Sequence, residues 1–324
     1  MATKRVGLVG RARPTRTLPA VKALVVRLVL TITRWGWVRW LFTKTGVGRR
    51  VALRFVAGES LDDAIAAVRR LVEAGVTVSL DHLGEHVTDR ASAEAARDDY
   101  LACLDRIAAE GLDANISVKL TQLGMGFDDD LCGRSLDALA VRAGGAGLTV
   151  TIDMEESAHT AATLDFYEAA QKAHGNLGLA LQAYLRRTPE DLDRVAHLGG
   201  HIRLCKGAYD EPEQIAFRTR KQVDAAFDEL CAALMAQPDA KPAIATHDHE
   251  RIAVAIRCGA ERIGPWELQM LYGIRESLQR SLVADGQPLR VYVPYGDAWY
   301  PYLTRRMAER PANLWFFLRA LFGR

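Results

Sequence analysis

Five cysteines, Cys103, Cys132, Cys205, Cys231 and Cys258, are all that the sequence holds; they are odd in number, widely separated and form no Cys-x-x-Cys or Cys/His cluster. Neither a disulfide framework nor a structural zinc site is indicated, and a reducing compartment is the default. Long apolar runs are missing too. The most apolar stretch, Val21–Lys44, is interrupted by Lys22, Arg27, Arg34 and Arg39, so its uncharged runs fall far short of the ~20 residues that a helix needs to cross a bilayer. There is no secretory apolar region with a small-residue cleavage site. No Gly-x-Gly-x-x-Gly joins a strand to a helix and no Gly-x-Ser-x-Gly occurs, which removes the signatures of an open dinucleotide-binding sheet and of a serine hydrolase.

Acid is absent from the first 50 residues, which carry twelve Lys or Arg, while the other 30 basic residues face all 40 acids. The formal net charge of +2 therefore conceals a head of about +12 and a body of about −10. The head reads as one or more amphipathic helices packed on the main domain. Its Trp35, Trp37 and Trp40 beside arginines also suit a lipid interface. A cytoplasmic protein with a peripheral contact on the inner face of the membrane fits this pattern better than a mitochondrial one, although an Arg-rich, acid-free start also resembles a transit peptide. With an acidic body and no recognised nucleic-acid module, nucleic acid is not an expected partner.

What is present is an ordinary globular composition, 49% hydrophobic and 25% charged over 324 residues, enough for a large core. From Arg54 onward the sequence keeps a regular beat. Helical periodicity predicts helices over Leu61–Ala74, Ala91–Glu110, 134–143, Ala158–Ala173, Pro189–Leu198, Glu213–Met235, Glu250–Cys258 and about Ile274–Leu282. Between and after them fall strands at Val76–Leu80, Asn115–Leu120, Leu148–Asp153, Leu177–Gln182, His201–Lys206, Pro242–Thr246, Ile263–Glu267 and Leu289–Pro294. Strict alternation means parallel strands with right-handed crossovers, and eight units point to a closed (β/α)8 TIM-type barrel. The expected organisation is a basic N-terminal helical segment over 1–50 and the barrel over 51–324.

Such barrels place their chemistry at the C-terminal strand ends. Here those ends read Asp81, Lys119, Asp153, Gln182, Arg203 with Lys206 and Tyr209, Thr246 with His247, Glu267, and Tyr292. Any one of these could be a satisfied buried polar group; all eight ends being polar favours a site. Lys119 and Arg203, with the adjacent Arg305 and Arg306, form a cationic set suited to an anion, and Lys206-Gly207-Ala208 is a small-residue loop that a phosphate could approach. Taken alone, the Arg305–Arg306 pair reads more readily as a solvated helix face than as a binding site. His247-Asp248-His249 raises a metal reading, without a third ligand at an obvious spacing. A lyase or aldolase using Lys119 as a Schiff-base amine is a further alternative.

Seven strings, in order, resemble one family. They are Arg-Phe-Val-Ala-Gly-Glu (54–59), Ile-Ser-Val-Lys-Leu (116–120), Asp-Met-Glu-Glu (153–156), Arg-Leu-Cys-Lys-Gly-Ala-Tyr (203–209), Ala-Thr-His-Asp (245–248), Glu-Leu-Gln-Met-Leu-Tyr-Gly (267–273) and Tyr-Leu-Thr-Arg-Arg (302–306). The chain resembles the proline dehydrogenases, FAD-dependent enzymes, in their monofunctional form. The resemblance implies a distorted (β/α)8 barrel preceded by N-terminal helices, and the oxidation of L-proline to Δ1-pyrroline-5-carboxylate by hydride transfer to flavin N5.

Carried over by position, the resemblance implies that Lys119, Arg305 and Arg306 pair with the proline carboxylate, that Tyr292 packs on the ring and that Tyr209 closes the pocket. It puts Arg203 beside the flavin N5 and Asp153 as the aspartate that orients Lys119 or Arg203. Met154, Gln182, Lys206, Gly207, Ala208, Thr246, His247 and Glu267 would complete the cofactor cleft. Arg, rather than Ser, at 305 implies proline rather than hydroxyproline as substrate, and a membrane quinone is the implied electron acceptor.

Overall fold

A computed structural model describes residues 53–84 and 87–303. The chain divides into two compact units, Ala52–Trp299 and a second made of Met1–Val51 with Tyr300–Arg324, which lies almost wholly outside the described residues. The first unit alternates helix and strand throughout. In order it runs α1 (Leu61–Glu73), β1 (Thr77–His82), α2 (Arg90–Glu110), β2 (Ala114–Val118), α3 (Asp129–Gly145), β3 (Val150–Ile152), α4 (Thr160–His174) and β4 (Leu177–Gln182). It continues with α5 (Thr188–Val195), β5 (His201–Cys205), α6 (Arg220–Ala236), β6 (Lys241–Ala245), α7 (His249–Glu261), β7 (Glu267–Leu271), α8 (Glu276–Ala284) and β8 (Leu289–Tyr295). All eight strands are parallel, and β8 pairs back onto β1, so the expected barrel is closed. No described helix is long and apolar enough to cross a membrane.

Local chemistry sets most boundaries. Ser60 and Thr219 start α1 and α6 with reciprocal capping boxes to Asp63 and Gln222, and Asp89, Asp128 and Asp248 accept backbone N–H groups at the starts of α2, α3 and α7. Three segments depart from expectation, and the first is the helix expected over 134–143, which runs Asp129–Gly145. The helix predicted from Glu213 starts only at Arg220, because residues 206–219 form a strap that hydrogen-bonds back onto Tyr184 and Arg186. The strand predicted at Ile263–Glu267 lies four residues later, since Pro265 has no N–H for the ladder and Gly264 turns at φ 122°. Ile263 is 96% exposed in that turn.

Alternation within the strands divides the buried side chains into two sets. Val78 and Leu80, Ile116 and Val118, Val150 and Ile152, Leu179 and Leu181, Ile202 and Leu204, and Val291 and Val293 join the helices in one apolar core. The intervening residues face the barrel axis, where hydrogen bonds between non-adjacent strands can only cross the interior. That interior is polar. Near its lower end Glu267 Oε1 accepts from His201 Nε2 (3.1 Å), Arg290 Nε (2.7 Å) and Gln269 Nε2 (2.6 Å). Burial lowers the His201 pKa, so the ring is neutral and donates through Nε2.

Space near this layer depends on Gly178 in β4, where a Cβ would lie 2.8 Å from the His201 carbonyl oxygen and 3.0 Å from Thr151 Oγ1. Gly178→Ala should therefore lower stability by about 1–3 kcal/mol through overpacking. Urea denaturation should show a reduced midpoint with an unchanged slope.

Candidate active site

Above the lower layer, Lys119, Arg203 and Tyr292 meet around one carboxylate. Asp153, just past β3, is 13% exposed at its side chain. Its Oδ2 accepts the Tyr292 hydroxyl at 2.6 Å and lies 3.3 Å from Lys119 Nζ, while Oδ1 pairs with Arg203. Lys119 and Arg203 are themselves 9% and 7% exposed. Burial opposes the charge on Asp153, but Lys119 and Arg203, with hydrogen bonds from Tyr292 and Lys119, hold its carboxyl below the ordinary value. The phenol of Tyr292 is pushed well above its ordinary value by burial and the nearby carboxylates. It stays a neutral donor.

Arg203 has little freedom. Its Nε donates to Gln269 Oε1 at 2.5 Å, one terminal nitrogen reaches Ser117 Oγ at 2.9 Å, and the Ser117 and Ser79 hydroxyls lie 2.8 Å apart. The guanidinium also sits 5.1 Å from the Tyr292 ring centroid, within cation–π range. Because Gln269 bonds on to Glu267, a continuous polar path runs from Asp153 through Arg203 to the lower layer.

Asp81, at the end of β1, is the member that the motifs did not bring into the site. It is 1% exposed and 2.8 Å from Lys119 Nζ, closer than the lysine's contact with Asp153. Burial raises its pKa, with Lys119 opposing and Asp153 adding to the rise. The signal was legible in Ser79-x-Asp81 and in Asn115-x-Ser117-x-Lys119, where polar residues recur at every second position of buried strands. Held between two carboxylates, Lys119 is an ammonium, the opposite of the neutral amine that a Schiff-base nucleophile needs.

A second group of expected residues gathers around β4, β5 and β6. Gln182 and Met154 are buried, and the Gln182 amide donates to the Met154 carbonyl at 3.2 Å. Gly207 adopts φ 103°, and the Tyr184 ring lies where its Cβ would be. Lys206 is paired with Asp224 and, at 3.1 Å, with Asp248, which follows Thr246 and His247. Ala208 is exposed and Tyr209 half-buried in the same strap. His247 Nε2 accepts the Leu271 N–H at 3.0 Å while His249 pairs with Arg275, so the two imidazoles do not converge on a common ion.

Glu267 requires correction. It begins β7 and lies in the lower layer, away from the strand ends, because the strand starts after Pro265. Tyr292 is mid-strand in β8, reaching Asp153 by the length of its side chain. Arg305 and Arg306 lie outside the described residues.

A family model described as proline dehydrogenase matches residues 64–319. "Proline dehydrogenase 1" of Bacillus subtilis (strain 168) is 36% identical over 283 residues, which make up 86% of this chain and 93% of that protein. "Proline dehydrogenase" of Deinococcus radiodurans is 35% identical over 280 residues, 84% and 90% of the two chains. Among solved structures, proline utilization A from Bdellovibrio bacteriovorus inactivated by N-propargylglycine superposes with a TM-score of 0.75 at 24% identity. A Bradyrhizobium japonicum counterpart gives 0.72 at 26%. Each superposition covers 81% of this chain, which spans only 33% and 31% of those longer proteins.

Asp153→Asn should destabilise the protein by about 3 kcal/mol, since two buried cations are left with Asp81 as the one remaining carboxylate among the described residues. The pKa of Asp153 is lowered on folding, so its contribution is present above its ordinary value of 3.8 and lost as pH falls through the folded value. Urea melts of the two proteins should accordingly converge in acid.

Proposed function

The chain belongs to the proline dehydrogenase family, and on that premise we propose that it oxidises L-proline to Δ1-pyrroline-5-carboxylate with FAD as the hydride acceptor. The observation that carries the reading is the junction at Asp153, where an ionised carboxylate holds Lys119, Arg203 and Tyr292 together on the barrel axis.

The residues present fit the cofactor. Gln182 Oε1 is a buried acceptor without a hydrogen-bond partner among the described residues, and a heteroaromatic ring N–H would satisfy it. Gly207 lets the strap lie flat against Tyr184, with its neighbour Ala208 exposed. Arg203, Gln182, Met154, Lys206, Gly207, Ala208, Thr246 and His247 are the residues proposed to hold it; Glu267 acts at one remove, through Gln269, on Arg203. FAD, when bound, supplies the two-electron acceptor.

The protein's own groups bind, orient and exclude. Lys119 and Arg203 are matched by Asp81 and Asp153, so the described charges around Asp153 cancel. A substrate carboxylate paired with Lys119 therefore needs further positive charge, a role proposed for Arg305 and Arg306. Tyr292 offers an aromatic face to the ring, and Tyr209 is proposed to close over it. Asp153 already accepts from three donors and is held ionised, which suits it to positioning rather than to removing the amine proton. Hydride loss from C5 requires the ring amine to be neutral, so turnover should rise with pH toward the amine pKa. A membrane quinone is the proposed final acceptor, with the basic, Trp-rich residues 1–50 as its approach to the membrane surface.

Purified protein should be yellow, and anaerobic L-proline should bleach the flavin bands; a colourless protein that FAD does not reconstitute would contradict the reading. Arg305→Ser should raise KM for proline about 10- to 100-fold, the loss expected for one charge-assisted contact. Unchanged steady-state kinetics would remove Arg305 from the carboxylate site.

A further inference from the structure

Two requirements of the proposed reaction conflict. A neutral ring amine favours alkaline pH, whereas capture of the substrate carboxylate needs a lysine that is still charged. Lys119 is almost wholly buried, and a buried ammonium without a partner loses its proton well below the ordinary lysine value of about 10.4. The charged or titratable groups that face it among the described residues come from four strands. They are Asp81 at the end of β1, Asp153 after β3, Arg203 on β5 and Tyr292 on β8. Arg203 repels it, and Tyr292 is neutral. Asp153 is divided among Arg203, Tyr292 and Lys119, and stands farther from the lysine than Asp81 does.

We propose that Asp81 is a positioning residue for catalysis, the carboxylate that keeps Lys119 a fixed ammonium and so preserves substrate-carboxylate binding at the alkaline pH where the ring amine is neutral. Asp81 touches neither substrate nor cofactor in this role; it acts through Lys119 alone. The inference rests on the proline-oxidising reading and deepens it. Burial that raises the Asp81 carboxyl also fits a group whose charge exists because the lysine is beside it. The pair titrates as a unit.

The test uses the full-length, flavin-loaded protein with proline as substrate and cyclopentanecarboxylate as a ligand that has the carboxylate but no amine. KM and kcat, and the Kd of cyclopentanecarboxylate by calorimetry, are measured from pH 7 to 9.5 for wild type and Asp81→Asn. The variant should bind both ligands almost as well as wild type at pH 7 and about tenfold more weakly at pH 9.5, as expected for a lysine pKa lowered by about two units. The change in kcat should be smaller than the change in KM. A loss equal at every pH would indicate a purely structural role and overturn the proposal.

If Asp81→Asn does not fold, the comparison moves to Lys119→Met with and without Asp81→Asn, which leaves no unpaired buried charge in the double variant. The added substitution should then change Kd by less than about twofold at any pH; a further tenfold loss would overturn the proposal. Wild-type protein that neither bleaches with proline nor binds cyclopentanecarboxylate would overturn both readings, whereas wild type that does both beside a variant with a parallel pH profile overturns only this one.

Discussion

A buried charge must be paired, and in this barrel that constraint decides where almost every functional side chain stands. Asp153 is the shared anion: Lys119, Arg203 and Tyr292 all direct a donor at it. Desolvation of a carboxylate and two cations is a penalty of several kcal/mol per ion, recovered only when geometry is close and the remaining donors and acceptors are filled. Ser79, Ser117, Gln269 and Asp81 do that filling. The result is a barrel whose axis is polar from the strand ends to the lower layer, with its hydrophobic stabilisation displaced to the ring between strands and helices.

This arrangement suits a reaction whose chemistry resides in a cofactor. The protein needs few reactive groups of its own and many fixed ones. Arg203 is held on opposite sides by Asp153 and Gln269, so its charge does not reorient when a substrate arrives. Tyr292 is neutral and ordered, and Lys119 is a cation because two carboxylates flank it. Electrostatic preorganisation of this kind places part of the burden of rigidity on residues below the strand ends. Glu267, His201 and Arg290 belong to that supporting class.

The barrel was readable because its signals are local. Helical periodicity and short apolar strands recur eight times, Asp, Ser or Thr caps start five of the helices, and each repetition constrains the next. The exceptions were local as well: Pro265 displaced β7 by four residues and carried Glu267 from the strand ends to the opposite layer. The interior was harder to read. A parallel strand buried on both faces is expected to be apolar throughout, whereas Ser79, Asp81, Asn115 and Ser117 alternate with the apolar set.

By itself the sequence determined the class of fold, the polar strand ends, the family and the cationic character of the site, because periodicity, residue type and charge are properties of neighbours along the chain. Tertiary structure alone decided who pairs with whom. Asp81 and Lys119 are 38 residues apart, Asp153 and Tyr292 139. Their meeting depends on closure of β8 onto β1 and on strand register, which set the distances over which buried charges must neutralise one another.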